Sequence, residues 1–240
     1  MTSLESRREV RVEYVEVARA VTSRGEVVLR ERRDPDAPAG TPTVVELRVN
    51  GVYVMDTLET GSERALASIA LDLVPEPRAV VVGGLGFGFT LHQVLADHRV
   101  ERVAVVEVEE PLVQWMRDGT VPHGRAFLAD ERVHVVTADI VVAMAEATAA
   151  AYDLVLLDVD NGPDQLVHAS NHAVYEEGFL EHTREALRPG GIVAIWSAHR
   201  SEPLEENLDR IFGNVDVDAH EVVLQGRDEH YWLYRAQRER

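Results

Sequence analysis

The stretch Val80-Val81-Val82-Gly83-Gly84-Leu85-Gly86-Phe87-Gly88 constrains the fold more than any other part of the chain. An apolar, strand-like run stops there, and three alternating glycines (Gly84, Gly86, Gly88) open a turn. Helix-compatible residues follow from Phe89 to Leu95, and a second apolar run, Val103-Ala104-Val105-Val106, ends on Glu107. A glycine backbone lacks Cβ, so it turns tightly and lets a ligand lie against it. Strand, glycine turn, helix and a strand ending in a carboxylate make a nucleoside-binding half-site of the Rossmann type. The acid suits the two hydroxyls of a ribose.

The remaining pattern extends that half-site into an α/β fold. Strands are predicted near 78–83, 102–107, 132–136, 152–158 and 191–196, and helices near 88–97, 110–117, 139–149, 174–187 and 203–212. Such alternation predicts a Rossmann-like, doubly wound, mostly parallel sheet with helices on both faces. Arg188-Pro189-Gly190-Gly191 reads as a helix-to-strand turn, and two last strands near 216–224 and 230–236 read as an antiparallel hairpin. Upstream, Arg11–Val17 alternates polar with apolar, Glu26–Arg30 is a second strand, and Val44–Val49 meets Val52–Met55 across Asn50-Gly51. Asn-Gly between apolar strands is a strong hairpin signal, because both turn residues need positive φ. A small N-terminal antiparallel β region over 1–60 is therefore expected before a Rossmann-like domain over 61–240. Thr60 and Glu63 have capping-box spacing at the head of a helix that Pro75 and Pro77 end.

Composition removes several chemistries. The 240 residues include no cysteine, which excludes disulfides, thiolate nucleophiles and cysteine-zinc sites. All 24 basic residues are arginine, which excludes Schiff-base lysines and a phosphate-loop lysine. The net charge of −18 disfavours nucleic acid and suits a small cationic substrate, although solubility alone also accounts for it. His168 and His172 are four apart but lack a third clear ligand, so no metal is expected. Gly-x-Ser-x-Gly is absent. No apolar run has membrane-spanning length, and Met1–Arg7 lacks the apolar segment of a leader, so no membrane partner and a cytoplasmic location are expected.

In an open parallel sheet, ligands sit outside the carboxyl ends of the strands. Those ends supply Gly83, Gly84, Gly86 and Gly88, then Glu107, then Asp139, then Asp158 to Pro163, and last Trp196-Ser197-Ala198. Asp139 has two readings: an acceptor for an adenine amino group, or the cap of the next helix. Asp158 and Asp160 are the candidates for chemistry. Neighbouring carboxylates raise one another's pKa, so one can serve as a base near neutral pH, and either can hold an ammonium or sulfonium. Their other reading is a polar turn, Asp-Asn-Gly-Pro. Tyr175 either covers the site or belongs to the core.

In this order the motifs resemble the spermidine synthase-like branch of the class I S-adenosylmethionine-dependent methyltransferase fold. The carriers are Leu47–Gly51, Gly83–Gly88, Val106-Glu107-Val108-Glu109, Thr137-Ala138-Asp139, Leu157–Pro163 and Leu187–Gly191. The resemblance implies that Gly83, Gly84, Gly86 and Gly88 hold the amino acid end of the cofactor, Glu107 binds ribose and Asp139 binds adenine. It implies further that the Asp158–Pro163 loop carries the base that readies an acceptor amine, and that homodimers are common. The family's aminopropyl-transferring members carry an Asp inside the glycine turn where this chain has Gly86. That Asp holds the amine of decarboxylated S-adenosylmethionine and repels the carboxylate of the ordinary cofactor. Its absence makes methyl transfer from S-adenosylmethionine the expected activity. Aminopropyl transfer from decarboxylated S-adenosylmethionine to a diamine is one alternative, and a cofactor-binding scaffold without turnover is another. A nicotinamide-dependent dehydrogenase is a distant further reading, since a glycine turn and a strand-end acid are generic. The loop departs from the family's Asp-Ser-Ser-Asp-Pro, with its second acid at Asp160; Val54 stands where a glutamine is usual, and Ser62-Glu63-Arg64 does not match the family's Tyr-His-Glu.

Overall fold

The computed structural model describes residues 12–38, 40–224 and 227–240. The opening residues read for a leader, and Arg11 of the first predicted strand, lie outside the described residues.

Two sheets organise the chain. The first is antiparallel and contains β1 (Glu13–Thr22), β2 (Gly25–Arg33), β3 (Val44–Val49) and β4 (Val52–Asp56), in that spatial order. β1 runs past the expected Val17 because its register shifts between Glu16 and Ala18, which breaks the period-2 pattern that sequence reading follows. Asn50 and Gly51 adopt φ of 53° and 78°, as a two-residue hairpin turn requires. The Asn50 side chain also accepts from Glu26 N–H at 3.0 Å and donates to the Arg24 carbonyl at 3.1 Å. One turn thereby fixes its neighbour, and the β1–β2 turn becomes a rigid projection.

The second sheet contains β5 (Ala79–Gly83), β6 (Arg102–Glu107), β7 (Val133–Thr137), β8 (Tyr152–Leu157), β9 (Leu187–Ser197), β10 (Asp216–Leu224) and β11 (Arg227–Gln237). Its order is β10-β11-β9-β8-β5-β6-β7; β5 to β9 pair in parallel, and β10 and β11 form the expected antiparallel hairpin against β9. The predicted turn Arg188-Pro189-Gly190-Gly191 instead lies within β9. The register there jumps from Tyr152↔Leu187 to Leu154↔Ile192, and Gly190 and Gly191 exchange backbone hydrogen bonds with Arg238, so the segment is a bulge held by the C-terminal strand.

The helices are α1 (Gly61–Leu73), α2 (Phe89–Ala96), α3 (Glu110–Asp118), α4 (Gly124–Leu128), α5 (Ile140–Ala145), α6 (Glu177–Ala186) and α7 (Glu202–Phe212). The expected helix over 174–187 is divided into a 3₁₀ segment at Ala169–Tyr175 and α6. The expected capping box at the head of α1 does not form: Thr60 makes no side-chain cap bond, and Glu63 is buried.

Alternation along β5 explains the layering. Val80 and Val82 pack with Leu66, Ala67 and Ala70 of α1, Leu91 of α2 and Leu47 of the first sheet. Val81 points to the opposite face, with Phe179 and Leu180 of α6 and Leu204 and Leu208 of α7. Each such buried aliphatic side chain contributes about 1.5–3 kcal/mol. The chain leaves β5 toward β6 and β7, then returns to β8 on the other side, so the strand order reverses between β5 and β8. That switch point is where an open α/β sheet presents its ligand crevice.

Candidate active site

The crevice at the β5–β8 switch is built from backbone first. Asp158 N–H donates to the Gly83 carbonyl at 2.8 Å, which stitches the two strand ends. Gly84 turns away with φ +88°, and a Cβ there would sit 2.0 Å from the Asp158 carbonyl oxygen. Only glycine fits. At Gly86 (φ +48°) a Cβ would sit 2.7 Å from Met55 Sδ, and Phe87 N–H donates to that sulfur at 3.3 Å.

One cavity opens beside these glycines. Gly84, Gly86, Glu107, Asp139, Asp158 and Asp160 all line it, as the strand-end reading expected. Gly83 is the buried end of β5 and Gly88 begins α2; neither is on the cavity wall. Tyr175 takes its core reading: it is 3% exposed, packs with Phe179 and Leu180, and burial pushes its phenol up. His168 caps the 3₁₀ segment by accepting from Ser170 N–H, and His172 pairs with Glu176; no metal-binding cluster exists among the described residues.

At one end of the cavity stands Glu107. Its Oε2 accepts from Leu85 N–H and its Oε1 from Glu109 N–H, both at 2.8 Å. Burial raises its pKa even against these donors. Each carboxylate oxygen retains acceptor capacity toward the cavity. Asp139 uses Oδ1 to cap α5, accepting from Val141 N–H at 2.8 Å, and still lines the cavity.

The other end concentrates acids. Asp158 Oδ2 accepts from Thr90 Oγ1 at 2.8 Å, and burial pushes Asp158 up to about 6. Glu63, 7% exposed, enters the same wall from α1, and its Oε2 accepts from Ser62 Oγ at 2.9 Å. Burial first, and the Asp158 charge second, push Glu63 up to about 8. Asp160 is satisfied differently: Oδ1 accepts from Asn161 N–H at 2.8 Å and Val167 N–H at 2.7 Å, and Oδ2 from Asn171 Nδ2 at 2.7 Å. It therefore ties together the loop after β8, and burial raises its pKa.

The β1–β2 turn closes the cavity. Arg24 donates to Asn171 Oδ1 at 2.7 Å and Ser170 Oγ at 3.1 Å, and its Nε lies 3.4 Å from Glu109 Oε1. Glu63, Thr90, Met55, Arg24 and Asn171 are the residues that sequence reading did not assign to the site. Only Glu63 carried a signal, a charge on the apolar stripe of α1 at the same spacing as Leu66, Ala67 and Ala70.

Similarity to known proteins follows the same boundaries. Residues 59–222 match the spermine/spermidine synthase domain. Putrescine N-methyltransferase 3 of Nicotiana tabacum is 31% identical over 153 residues, covering 61% of this chain and 39% of that protein. Polyamine aminopropyltransferase 2 of Pseudomonas aeruginosa is 35% identical over 152 residues, covering 60% and 41%. The chain thus spans about two fifths of the length of these curated relatives. Among solved structures, a spermidine synthase in complex with the transition-state analogue AdoDATO superposes with a TM-score of 0.79 at 17% identity, covering 92% of this chain and 73% of that one. The Burkholderia thailandensis 1,6-didemethyltoxoflavin-N1-methyltransferase with bound S-adenosylhomocysteine gives 0.53 at 21% identity, covering 76% and 80%. Both share the fold. The domain match runs from the head of α1 into β10 and includes the glycine turn, Glu107, Asp139 and the acidic loop. The chain belongs to the spermine/spermidine synthase family.

Proposed function

We propose that the protein transfers the methyl group of S-adenosylmethionine to the nitrogen of a small cationic amine of the polyamine class. The observation that carries this reading is the exchange at Gly86. The resemblance sets Gly86 where an aminopropyl-transferring member has a carboxylate; this chain has no side chain there, and Met55 Sδ occupies the adjoining space. An uncharged thioether does not repel the carboxylate of the unmodified cofactor, as an acid there would.

The residues present fit such a group. Gly84 and Gly86 give the cavity wall a backbone surface without side chains, turned there at positive φ. Glu107 is buried, held in position by two backbone donors and free to accept ribose hydroxyls. Asp139 keeps Oδ2 available for an adenine amino group once Oδ1 has capped α5. When bound, S-adenosylmethionine supplies an electrophilic methyl carbon on a sulfonium. The chain's own residues hold the acceptor in line, exclude water and remove its proton. Asp158 is the better placed base, because Asp160 spends both oxygens on the loop. Asp160 contributes negative charge and keeps the loop closed.

Aminopropyl transfer from decarboxylated S-adenosylmethionine is the second reading, favoured by the 35% identity to an aminopropyltransferase. Isothermal titration of the whole chain with both sulfonium compounds separates the two. Ordinary S-adenosylmethionine is expected to bind at least roughly tenfold tighter, about 1.4 kcal/mol. Preference for the decarboxylated compound would reverse the assignment, and binding of neither would remove it.

A further inference from the structure

Buried carboxylates in this protein fall into two groups. Those that serve the scaffold have cations or backbone donors. Glu46 meets Arg30 at 2.7 Å and Arg48 at 2.6 Å, and Asp153 accepts from Arg188 at 2.7 Å and from Ala79 N–H at 2.8 Å. Glu63 and Asp158 have no cation, and the one backbone donor at the pair is the N–H of Glu63 itself. Their side-chain partners are two hydroxyls, Ser62 Oγ and Thr90 Oγ1, and among the described residues no arginine or histidine forms an ion pair with them. The hydroxyl of Thr90 holds the two acids on one wall, donating to Asp158 Oδ2 while lying 3.3 Å from the Glu63 carbonyl oxygen.

Two close carboxyl groups without a cation retain one proton between them, because both cannot ionise in a desolvated site. The groups that face Glu63 do not change this. Glu59 adds a like charge from the turn before α1, and the phenols of Tyr53 (β4) and Tyr231 (β11) lie within electrostatic reach. Tyr231 in turn packs at a tilt against Trp196, with ring centroids 4.7 Å apart, and Trp196 lines the same cavity. Its indole N–H, on a side chain 8% exposed, has no acceptor. Acids without a counter-ion, beside an aromatic wall, describe a receptor for an alkylammonium group.

We propose that Glu63 is a second acceptor-binding acid, and that it and Asp158 exchange a shared proton for the ammonium group of the incoming amine. This deepens the methyl-transfer reading and rests on it for the location of the cofactor. In the exchange, the proton on the carboxyl pair passes to solvent and the ammonium takes its place. In the chemical step, one ammonium N–H bond breaks, its proton goes to the carboxylate pair, and the freed lone pair forms the N–C bond as the C–S bond breaks. Sulfur keeps the C–S electrons and becomes a neutral thioether, and the methylated nitrogen carries the positive charge.

The test counts protons. The whole chain, saturated with S-adenosylhomocysteine, is titrated with 1,4-diaminobutane at pH 7 in phosphate and in Tris, whose ionisation enthalpies differ. Wild type is expected to release about one proton per amine bound. Glu63→Gln is expected to lose that release, to bind the amine roughly tenfold or more weakly, and to retain S-adenosylhomocysteine. A side-chain carboxyl ¹³C titration of the free protein supplies the second readout. One glutamate is expected to titrate near pH 8, to vanish in Glu63→Gln, and to move toward the ordinary range in Asp158→Asn. A Glu63 that titrates with the exposed glutamates overturns the proposal. So does amine binding without proton release, or no amine binding by a protein that still takes S-adenosylhomocysteine. Failure of the wild type to bind S-adenosylhomocysteine is a different result, and removes the methyl-transfer reading itself.

Discussion

The two ends of the cavity solve the same problem in opposite ways. At the Glu107 end, a buried acid is held by the two backbone N–H groups of Leu85 and Glu109. At the Glu63–Asp158 end, buried acids are held by two hydroxyls that turn freely and donate only one bond each, and by the N–H of Glu63 itself. The first arrangement is finished before any ligand arrives. The second is stable only when protonated or when a cation joins it. On the proposed function, the contrast means rigid recognition of the nucleoside at one end and charge neutralisation left to the acceptor at the other.

The largest expected effect tests the finished end. Glu107→Ala removes the acceptor of two buried backbone donors, each of which costs about 1–3 kcal/mol when unpaired. Urea unfolding is expected to show a loss of roughly 2–6 kcal/mol, and calorimetry no measurable adenosyl binding. Glu107→Gln, which keeps one acceptor, is expected to fall between. If Glu107→Ala unfolds like wild type, the carboxylate does not organise the turn, and the contrast between the two ends disappears.

The unfinished end makes a prediction about pH. Glu63 has its folded pKa raised to about 8 and Asp158 to about 6. A raised carboxyl pKa means that folding takes up protons. The stabilising contribution is complete below the ordinary carboxylate range and is lost as pH rises through 6 and then 8. The free protein is therefore expected to lose several kcal/mol of stability between pH 5 and 8.5. Glu63→Gln is expected to flatten that slope. A wild-type slope that Glu63→Gln leaves unchanged would assign the effect to other groups.

Gly86→Asp sharpens the comparison at a smaller scale. Aspartate tolerates the left-handed backbone better than most residues, and the atom in its way is the flexible end of Met55. The variant is expected to fold with about 1 kcal/mol lost. Titration is expected to show weaker S-adenosylmethionine binding and stronger binding of the decarboxylated compound. An unaltered preference would mean that the position does not read the cofactor's carboxylate.

Much of this was legible in the sequence, for a physical reason. β5, the glycine turn, Glu107 and the acids after β8 lie at strand ends, where local pattern and fold geometry coincide. The two strands of the Asn50-Gly51 hairpin and the alternation of the large sheet were likewise local signals. Glu63 was obscured because its spacing from Thr60 imitates a capping box, whereas tertiary packing turned it inward. Arg24 and Met55 reach the site only because a separate sheet folds over the crevice, and no window of sequence contains that approach. The helix expected over 174–187 is divided at Glu176, whose backbone is extended between the 3₁₀ segment and α6.

Arg24 joins the two ends and gives the smallest expected effect. Its guanidinium spans from Glu109, two residues after Glu107, to Asn171, whose amide holds Asp160. The ion pair is partly screened and the hydrogen bonds are few, so Arg24→Ala is expected to cost only about 1 kcal/mol of stability. Thr22 Oγ1 still donates to Glu109 Oε2 at 3.2 Å, so the β1–β2 turn keeps one tether in the variant. Loss of the Arg24 bonds to Ser170 and Asn171 leaves the loop after β8 freer to open. Stopped-flow measurement is therefore expected to show S-adenosylhomocysteine leaving a few-fold faster, with a similar loss of amine affinity. Equal losses identify one closure over both ends. A loss confined to the amine would place Arg24 with the acids alone, and would make the Glu107 end independent of the loop that covers it.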